Sequence, residues 1–349
     1  MNIRIGNCKL GVGQPTFIVA EMSGNHGGSL ERALAIVHAA KKAGADAIKL
    51  QTYTADTITL KCNNEDFLIQ SESPWAGHSS LWELYNKAHT PWEWHKEIFF
   101  EARKLGLEVF SSPFDESAVD LLEELNAVAY KIASPEITNI PLLERVAITG
   151  KPIIISTGIG DLSDIEYAFS ILKNAGAKEI IILKCTTAYP APAEESNLNT
   201  IPDIIVRFDV LSGLSDHSIG LAAPIAAVAL GASLIEKHFT IEDAVETVDS
   251  FFSSGESEFR DMVNEIRFID KALGKVDYNI TKSAFPSLRG RSSLYISAPI
   301  KAGEIFSKIN IKAVRPSFGL HPKHYKEILG KRAKYDLKLG DRLSWEVIE

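Results

Sequence analysis

Cysteine is scarce: Cys8, Cys62 and Cys185 are the only three in 349 residues. An odd number without metal-ligand spacing excludes a disulfide framework and a cysteine-rich zinc site, and it suits a reducing compartment. The N-terminus lacks a charged segment leading into an apolar run, so no secretory signal is expected and the protein is read as cytoplasmic. Long hydrophobic runs are missing too. The longest uncharged stretch, Ile219 to Ile235, carries Pro224 and Gly231 and lies between His217 and Glu236. A membrane span needs about 20 predominantly apolar residues, so this stretch reads as core helix followed by core strand. Excess positive charge is also absent. The 37 Lys+Arg against 45 Asp+Glu give −8, which argues against nucleic acid or an anionic membrane as a partner. Neither a Gly-x-Gly-x-x-Gly turn after the first strand nor a Gly-x-Ser-x-Gly elbow occurs, which counts against a dinucleotide fold and serine-nucleophile chemistry.

What is present is a repeating pattern. Apolar strand-like runs occur at 17–20, 47–52, 107–113, 129–134, 152–158, 179–187, 213–218 and 234–240. Helical patterns separate most of them. Ser29 is placed to cap the first helix, which Gly44 closes; Thr90 to Glu93 and Ser163 to Glu166 read as capping boxes. Eight alternating units over about 250 residues predict a (β/α)8 TIM barrel, with a doubly wound open sheet as the rival. An excursion from Tyr53 to Ala88 is too long for a routine loop and is expected to wall the barrel mouth. The helix at 257–273 completes the barrel. The expected organisation is therefore a catalytic domain over 1–275, a linker over 276–291 and a small β-rich domain over 292–349. From Thr281 onward 14 Lys+Arg face 6 Asp+Glu, a net +8 that leaves −16 on the rest. That basic lobe is either a solvated face or one that docks on acidic protein or an anionic ligand.

In a TIM barrel the chemistry sits at the C-terminal strand ends. Those ends collect Glu21, Lys49, Gln51, Ser112, Lys131, Ser134, Glu136, Ser156, Thr187, Ser215, His217, Glu236 and His238. A lysine after a buried apolar run requires a partner. Lys49 and Lys131 therefore point to a bound phosphate or carboxylate, or to pairing with barrel carboxylates. His217 and His238, with Asp216 and Glu236 beside them, suggest a divalent metal in an open site; either histidine alone would read as a satisfied core residue. Cys185 reads as a small core hydrophobe.

Several segments resemble the sialic acid synthase family. They are Glu21-Met-Ser-Gly-Asn-His26, Ala129-Tyr-Lys-Ile-Ala-Ser134, Ser156-Thr-Gly158, Gly213-Leu-Ser-Asp-His217 and Glu236-Lys-His-Phe239. The likeness covers nearly the whole chain, and the last ~60 residues look like the antifreeze-like SAF domain, a β-clip-like fold, that those enzymes carry. Leu84-Tyr85, Thr90 to His95, Val248 to Ser250 and Val314 to Pro322 look most like the branch that makes pseudaminic acid, with the N-acetylneuraminate and legionaminate branches as alternatives. A non-catalytic carbohydrate- or anion-binding barrel is the alternative of another class.

The resemblance implies condensation of phosphoenolpyruvate with an open-chain acylamino sugar, giving a nine-carbon α-keto acid and phosphate. It implies that Lys49, Ser112, Lys131, Ser134, Ser156, Thr187, Ser215 and Glu236 hold phosphoenolpyruvate. Glu21, Asn25, Gln51, Glu136, Tyr189 and Asp249 would contact the sugar, and a carboxylate would handle proton transfer. His217 and His238 would hold Mn2+, Mg2+ or Co2+. Glu21, Lys49, Lys131, Glu136 and both histidines are the implied catalytic set. Arg315 would reach the sugar from the partner chain of a domain-swapped homodimer. One departure is Thr187, where the family carries Asn.

Overall fold

The computed structural model describes residues 2–71, 73–243 and 245–349. The chain forms two compact units whose boundary falls between Gly274 and Lys275. The first unit is the expected barrel. Its strands are preceded by an antiparallel hairpin, β1 (Asn2–Ile5) and β2 (Cys8–Gly11). The barrel strands are β3 (Phe17–Glu21), β4 (Ala47–Thr52), β5 (Glu108–Pro113), β6 (Tyr130–Ile132), β7 (Ile153–Ser156), β8 (Ile180–Cys185), β9 (Leu211–Asp216) and β10 (Leu234–His238). They pair in parallel in chain order, and β10 closes on β3. A doubly wound sheet is thereby excluded.

The helices of this unit are α1 (Leu30–Ala43), α2 (Ala55–Ile58), α3 (Leu81–Ala88), α4 (Trp92–Lys104), α5 (Glu116–Glu124), α6 (Ile140–Ala147), α7 (Leu162–Asn174), α8 (Thr200–Phe208), α9 (Ala222–Ala229) and α10 (Glu256–Ala272). Ser29 caps α1 by accepting from the Arg32 N–H at 3.2 Å, and Gly44 follows it in the left-handed conformation. Two capping expectations are corrected. Thr90 does not cap α4, because its hydroxyl is 3.2 Å from His26 Nε2 instead. The box at α7 is formed by Asp161 and Asp164, two residues ahead of the expected start at Ser163.

The period-two alternation of each strand sorts its side chains. Ile18, Ala20, Ile48, Leu50, Ile153, Ile155, Ile180, Ile182 and Ile235 face outward into a core shared with the helices. Inside, the lower barrel is filled by Phe17, Val19, Ala47, Phe110, Ala129, Ile154, Ile181, Leu183, Leu211 and Leu234, with Ile3, Ile5 and Leu10 of the hairpin packed against them. At Gly213 a Cβ would lie 2.1 Å from the Leu234 carbonyl, so only glycine lets β9 approach β10 there. Two or four residues further along the same inward rows the apolar side chains give way to Glu21, Lys49, Ser112, Lys131, Ser156, Cys185, Ser215, Glu236 and His238. Every one of these is buried.

The second unit has its own core of Leu294, Ile296, Ile300, Phe306, Ile311, Ile328, Ala333, Leu337 and Leu343. It is β-rich: β11 (Ser293–Ile296) pairs antiparallel with β12 (Ile311–Val314), and a short α-helix, α11 (Tyr325–Ile328), follows. Residues 282–290, within the stretch expected as a linker, form a 3-10 helix. Among the described residues, no helix is long and apolar enough to cross a membrane.

Candidate active site

The polar upper layer of the barrel is built around two buried lysines. Lys49 on β4 pairs with Glu21 on β3, and its Nζ lies 3.2 Å from Ser112 Oγ and 3.7 Å from Glu236 Oε1. Lys131 on β6 donates to the same Glu236 oxygen at 3.1 Å, as does the Ser215 hydroxyl. Both possibilities raised by the sequence are thus open at once: the lysines have carboxylate partners, yet Glu236 Oε2 has no partner at all. Burial would raise Glu236, but Lys131 and Lys49 outweigh it and hold the carboxyl below its ordinary value. Burial raises Glu21 against the pull of Lys49, and the Glu236 charge adds to the rise. For Lys49 burial works downward, but Glu21 and Glu236 prevail and keep the ammonium charged. Gln51 donates to Glu21 Oε1 at 3.1 Å and to Ser23 Oγ at 3.0 Å.

Next to the lysines, Ser134 Oγ accepts from the Gly158 N–H at 2.8 Å. A Cβ at Gly158 would lie 1.9 Å from Thr187 Oγ1 and 2.7 Å from Ser134 Oγ, so a side chain there would displace the hydroxyls of both. Ser156 Oγ is buried without a partner. Glu136 lies in the 3-10 turn Ser134–Thr138 that follows β6. Burial pushes its carboxyl up to about 8, while its own backbone N–H and the Lys131 charge pull the other way. Glu136 Oε2 also has no partner.

The two histidines meet as expected, with ring centroids 5.3 Å apart. His217 Nδ1 is 2.9 Å from the Thr186 carbonyl. Donation to that carbonyl fixes the tautomer and leaves Nε2 with a lone pair. For His217 burial works downward, but the Cys185 thiol, the Thr186 carbonyl and Asp216 together raise it. His238 is held well below its ordinary value by burial first, then by His217 and the lysines, and its Nδ1 is unpartnered. A neutral imidazole with a free ring nitrogen is the form that ligates metal. His238 stands in that form, and His217 reaches it when a binding metal displaces the proton on Nε2, so the donor chemistry of the pair fits a divalent cation. Among the described residues no group of three or more His, Cys, Asp or Glu could hold one, so an ion here would take its remaining ligands from substrate and water. Cys185 is buried as expected, but it is more than core filling: its Sγ lies on the inner face, 4.0 Å from His217 Nδ1 and 3.8 Å from Thr187 Oγ1.

Asp249 Oδ2 accepts from Ser23 Oγ at 2.5 Å and from the Gly24 N–H at 3.3 Å. Burial raises its carboxyl, with the Ser23 bond opposing. Tyr189 lies over His217, centroid to centroid 4.5 Å. Asn25 is fully buried, and its amide bonds Phe239 O, Ser253 and Thr247. That set of partners makes it a brace for the loop after β3. Arg315 is exposed immediately after β12 in the second unit. Sequence reasoning missed Ser23, which links Gln51 to Asp249, and the rings of Trp75, Phe251 and Phe252. Trp75 is 5.4 Å from Tyr189, and Phe252 is 4.7 Å from His238.

Residues 36–278 match the NeuB family and residues 291–349 match the SAF domain. The chain is 46% identical over 341 residues to the pseudaminic acid synthase of Campylobacter jejuni, covering 98% of each. It is 45% identical over 337 residues to the pseudaminic acid synthase of Helicobacter pylori, covering 96% of this chain and 98% of that one. The crystal structure of the N-acetylneuraminic acid (sialic acid) synthetase of Leptospira borgpetersenii, in complex with citrate, superposes with a TM-score of 0.73 at 32% identity, covering 82% of this chain and 95% of that chain. The motifs that carried the resemblance are thereby borne out at the level of the whole molecule, and the chain belongs to the NeuB family, with a SAF domain at its C-terminal end.

Proposed function

We propose that the barrel condenses phosphoenolpyruvate with 2,4-diacetamido-2,4,6-trideoxy-L-altrose, the pseudaminic acid synthase reaction. One observation carries the reading. Around two buried lysines, the polar atoms Ser156 Oγ, Glu136 Oε2, Glu236 Oε2 and His238 Nδ1 are all buried without partners. A site that leaves so many polar atoms desolvated gains from a ligand that completes them.

Lys49 and Lys131, with Ser112, Ser134, Ser156, Thr187 and Ser215, bind the phosphate and carboxylate of phosphoenolpyruvate. Glu236 lies between the two ammoniums and orients both. Its relatives' names favour the altrose derivative, and the 6-deoxy carbon and 4-acetamido group ask for apolar contacts where mannose derivatives ask for hydroxyl partners. Gln51, Glu21, Asp249 and Tyr189 hold the open-chain sugar, and Arg315 of the second unit reaches the sugar of the partner chain in a domain-swapped homodimer. His217 and His238 would hold a divalent metal, with manganese, magnesium and cobalt the ions expected, and its chemistry would be Lewis-acid polarisation of the aldehyde. C3 of phosphoenolpyruvate then bonds to the aldehyde carbon. Glu136, neutral at pH 7 because of its burial, gives its proton to the aldehyde oxygen as that oxygen becomes a hydroxyl. Water adds at C2 and returns one proton to Glu136; phosphate then leaves with cleavage of the bond between C2 and its oxygen and takes the proton of the C2 hydroxyl, which becomes the keto group.

Phosphate release with three sugars tests this: the altrose derivative, its legionaminate-series counterpart and N-acetylmannosamine. Rapid release with the altrose derivative is expected. Release with N-acetylmannosamine and none with the altrose compound would overturn the branch assignment, and no release with any sugar would favour a barrel that only binds.

A further inference from the structure

We infer that Trp75, standing against Tyr189 and Phe251, is a specificity-determining residue that reads the apolar side of the sugar. The inference rests on the proposal that this mouth takes an acylamino sugar. It goes further by assigning a recognition role to a segment that has no part in the barrel.

Trp75 belongs to the excursion between β4 and α4, where nothing in the barrel architecture requires a large aromatic ring. Its indole is 5.4 Å from Tyr189 and 6.4 Å from Phe251. Its Nε1–H donates to the Val248 carbonyl at 2.9 Å. The next residue is Asp249, whose carboxylate holds Ser23 and, through Ser23, Gln51. A single hydrogen bond therefore ties the excursion to the polar row on which the sugar is proposed to lie. Tyr189 continues the ring stack inward: it is 4.5 Å from His217 and 4.9 Å from Phe252, which is itself 4.7 Å from His238. The result is an apolar wall that runs from the histidine pair outward to Phe251, which is 49% exposed. The hydrogen-bonding groups of Glu21, Gln51 and Asp249, linked through Ser23, supply the polar row of the same mouth.

Such a site has one polar face and one aromatic face. Acetamido methyls and a deoxy carbon lie favourably on aromatic faces. A hydroxyl at the same place would lose its water and find no partner. Trp75 sets where that wall stands.

The test compares Trp75→Ala and Trp75→Phe with the wild type on the 2,4-diacetamido-6-deoxy sugar and on N-acetylmannosamine, and measures KM for phosphoenolpyruvate in parallel. Loss of one apolar contact is expected to lower kcat/KM for the deoxy sugar about 10- to 100-fold, to narrow the preference over N-acetylmannosamine and to leave KM for phosphoenolpyruvate within about twofold. Trp75→Phe keeps a ring, loses the Nε1–H and shifts the preference the same way by several-fold; it carries the comparison if the alanine variant does not fold. Equal losses on both sugars, or a loss matched by a rise in KM for phosphoenolpyruvate, would mean that Trp75 only supports the loop, and the inference would fall. If the wild type uses a different sugar, the proposed substrate is wrong; the wall is then judged by the same ratio between the sugar used and its more hydroxylated counterpart.

Discussion

Lys237 and Asp216 stand in register across β10 and β9, each one residue away from a site histidine, with Nζ and Oδ2 2.5 Å apart. Both are buried. Lys237 also donates to the Ser218 carbonyl at 2.6 Å, and Asp216 Oδ1 accepts from the Ser218 N–H and hydroxyl. Alternation along the strands sends this pair to the side opposite Ser215 and Glu236. The turn that carries His217 is thus clamped from behind to the strand that carries His238.

Breaking that clamp from one side leaves a buried charge alone. Lys237→Met is expected to destabilise the first unit by about 3–5 kcal/mol, and the double variant Asp216→Leu with Lys237→Met by less than the single one. Urea unfolding followed by far-ultraviolet circular dichroism gives both numbers. A single variant no less stable than the double one would refute the clamp.

Glu136 gives a pH signature with a defined sign. Its carboxyl sits at about 8 in the folded protein against the usual 4.5, so the folded state binds more protons than the unfolded chain between those values. Its contribution to stability is therefore fully present below 4.5 and declines as pH rises toward 8. As the group that donates to the aldehyde oxygen it also makes kcat/KM for the sugar fall above pH 8. Glu136→Gln should lose most of the turnover and that descending limb with it. An unchanged limb in the glutamine variant would assign the ionisation to another group.

Lys131→Met removes a charged donor from the phosphoenolpyruvate side. A charge-assisted hydrogen bond contributes about 1.5–3 kcal/mol, which corresponds to a loss of about 10- to 100-fold in kcat/KM for phosphoenolpyruvate. KM for the sugar should stay close to the wild-type value. Initial rates at saturating sugar decide the matter, and an undisturbed phosphoenolpyruvate dependence would remove Lys131 from the anion site.

Chelation with EDTA is expected to abolish turnover and added manganese to restore it. His238→Ala should bind manganese more weakly in a direct titration while keeping the circular dichroism of the wild type. Full activity in chelator, or unaltered manganese binding by the variant, would contradict the histidine assignment.

Arg315 is proposed to act across a dimer. Chains carrying Arg315→Ala mixed with chains carrying Lys131→Ala should regain part of the activity that each lacks alone. Failure to recover any would mean that Arg315 serves its own barrel.

Much of the barrel was legible because parallel strands buried on both faces read as continuous apolar runs such as Ile153–Ser156 and Ile180–Cys185. The polar residues that end those runs were legible for the same reason: a lysine or histidine after a run of isoleucines stands out. The hairpin β1–β2 was not, because strands of four residues, of which only β1 alternates exposed and buried positions, leave too short a pattern. Thr90 looked like a cap but bonds His26, a contact 64 residues away in sequence that no local pattern encodes. The aromatic wall was hidden for a similar reason. Trp75 sits in a stretch without period, and its partners Tyr189 and Phe251 arrive from loops more than a hundred residues further on.

The most direct measurement uses phosphoenolpyruvate labelled with oxygen-18 at the bridging position between C2 and phosphorus, together with the 2,4-diacetamido-2,4,6-trideoxy sugar. Carbon–carbon bond formation followed by loss of phosphate from C2 requires the released phosphate to carry the label and the product to have the mass of the nine-carbon keto acid. Unlabelled phosphate, or labelled phosphate without that keto acid, would contradict the proposed condensation.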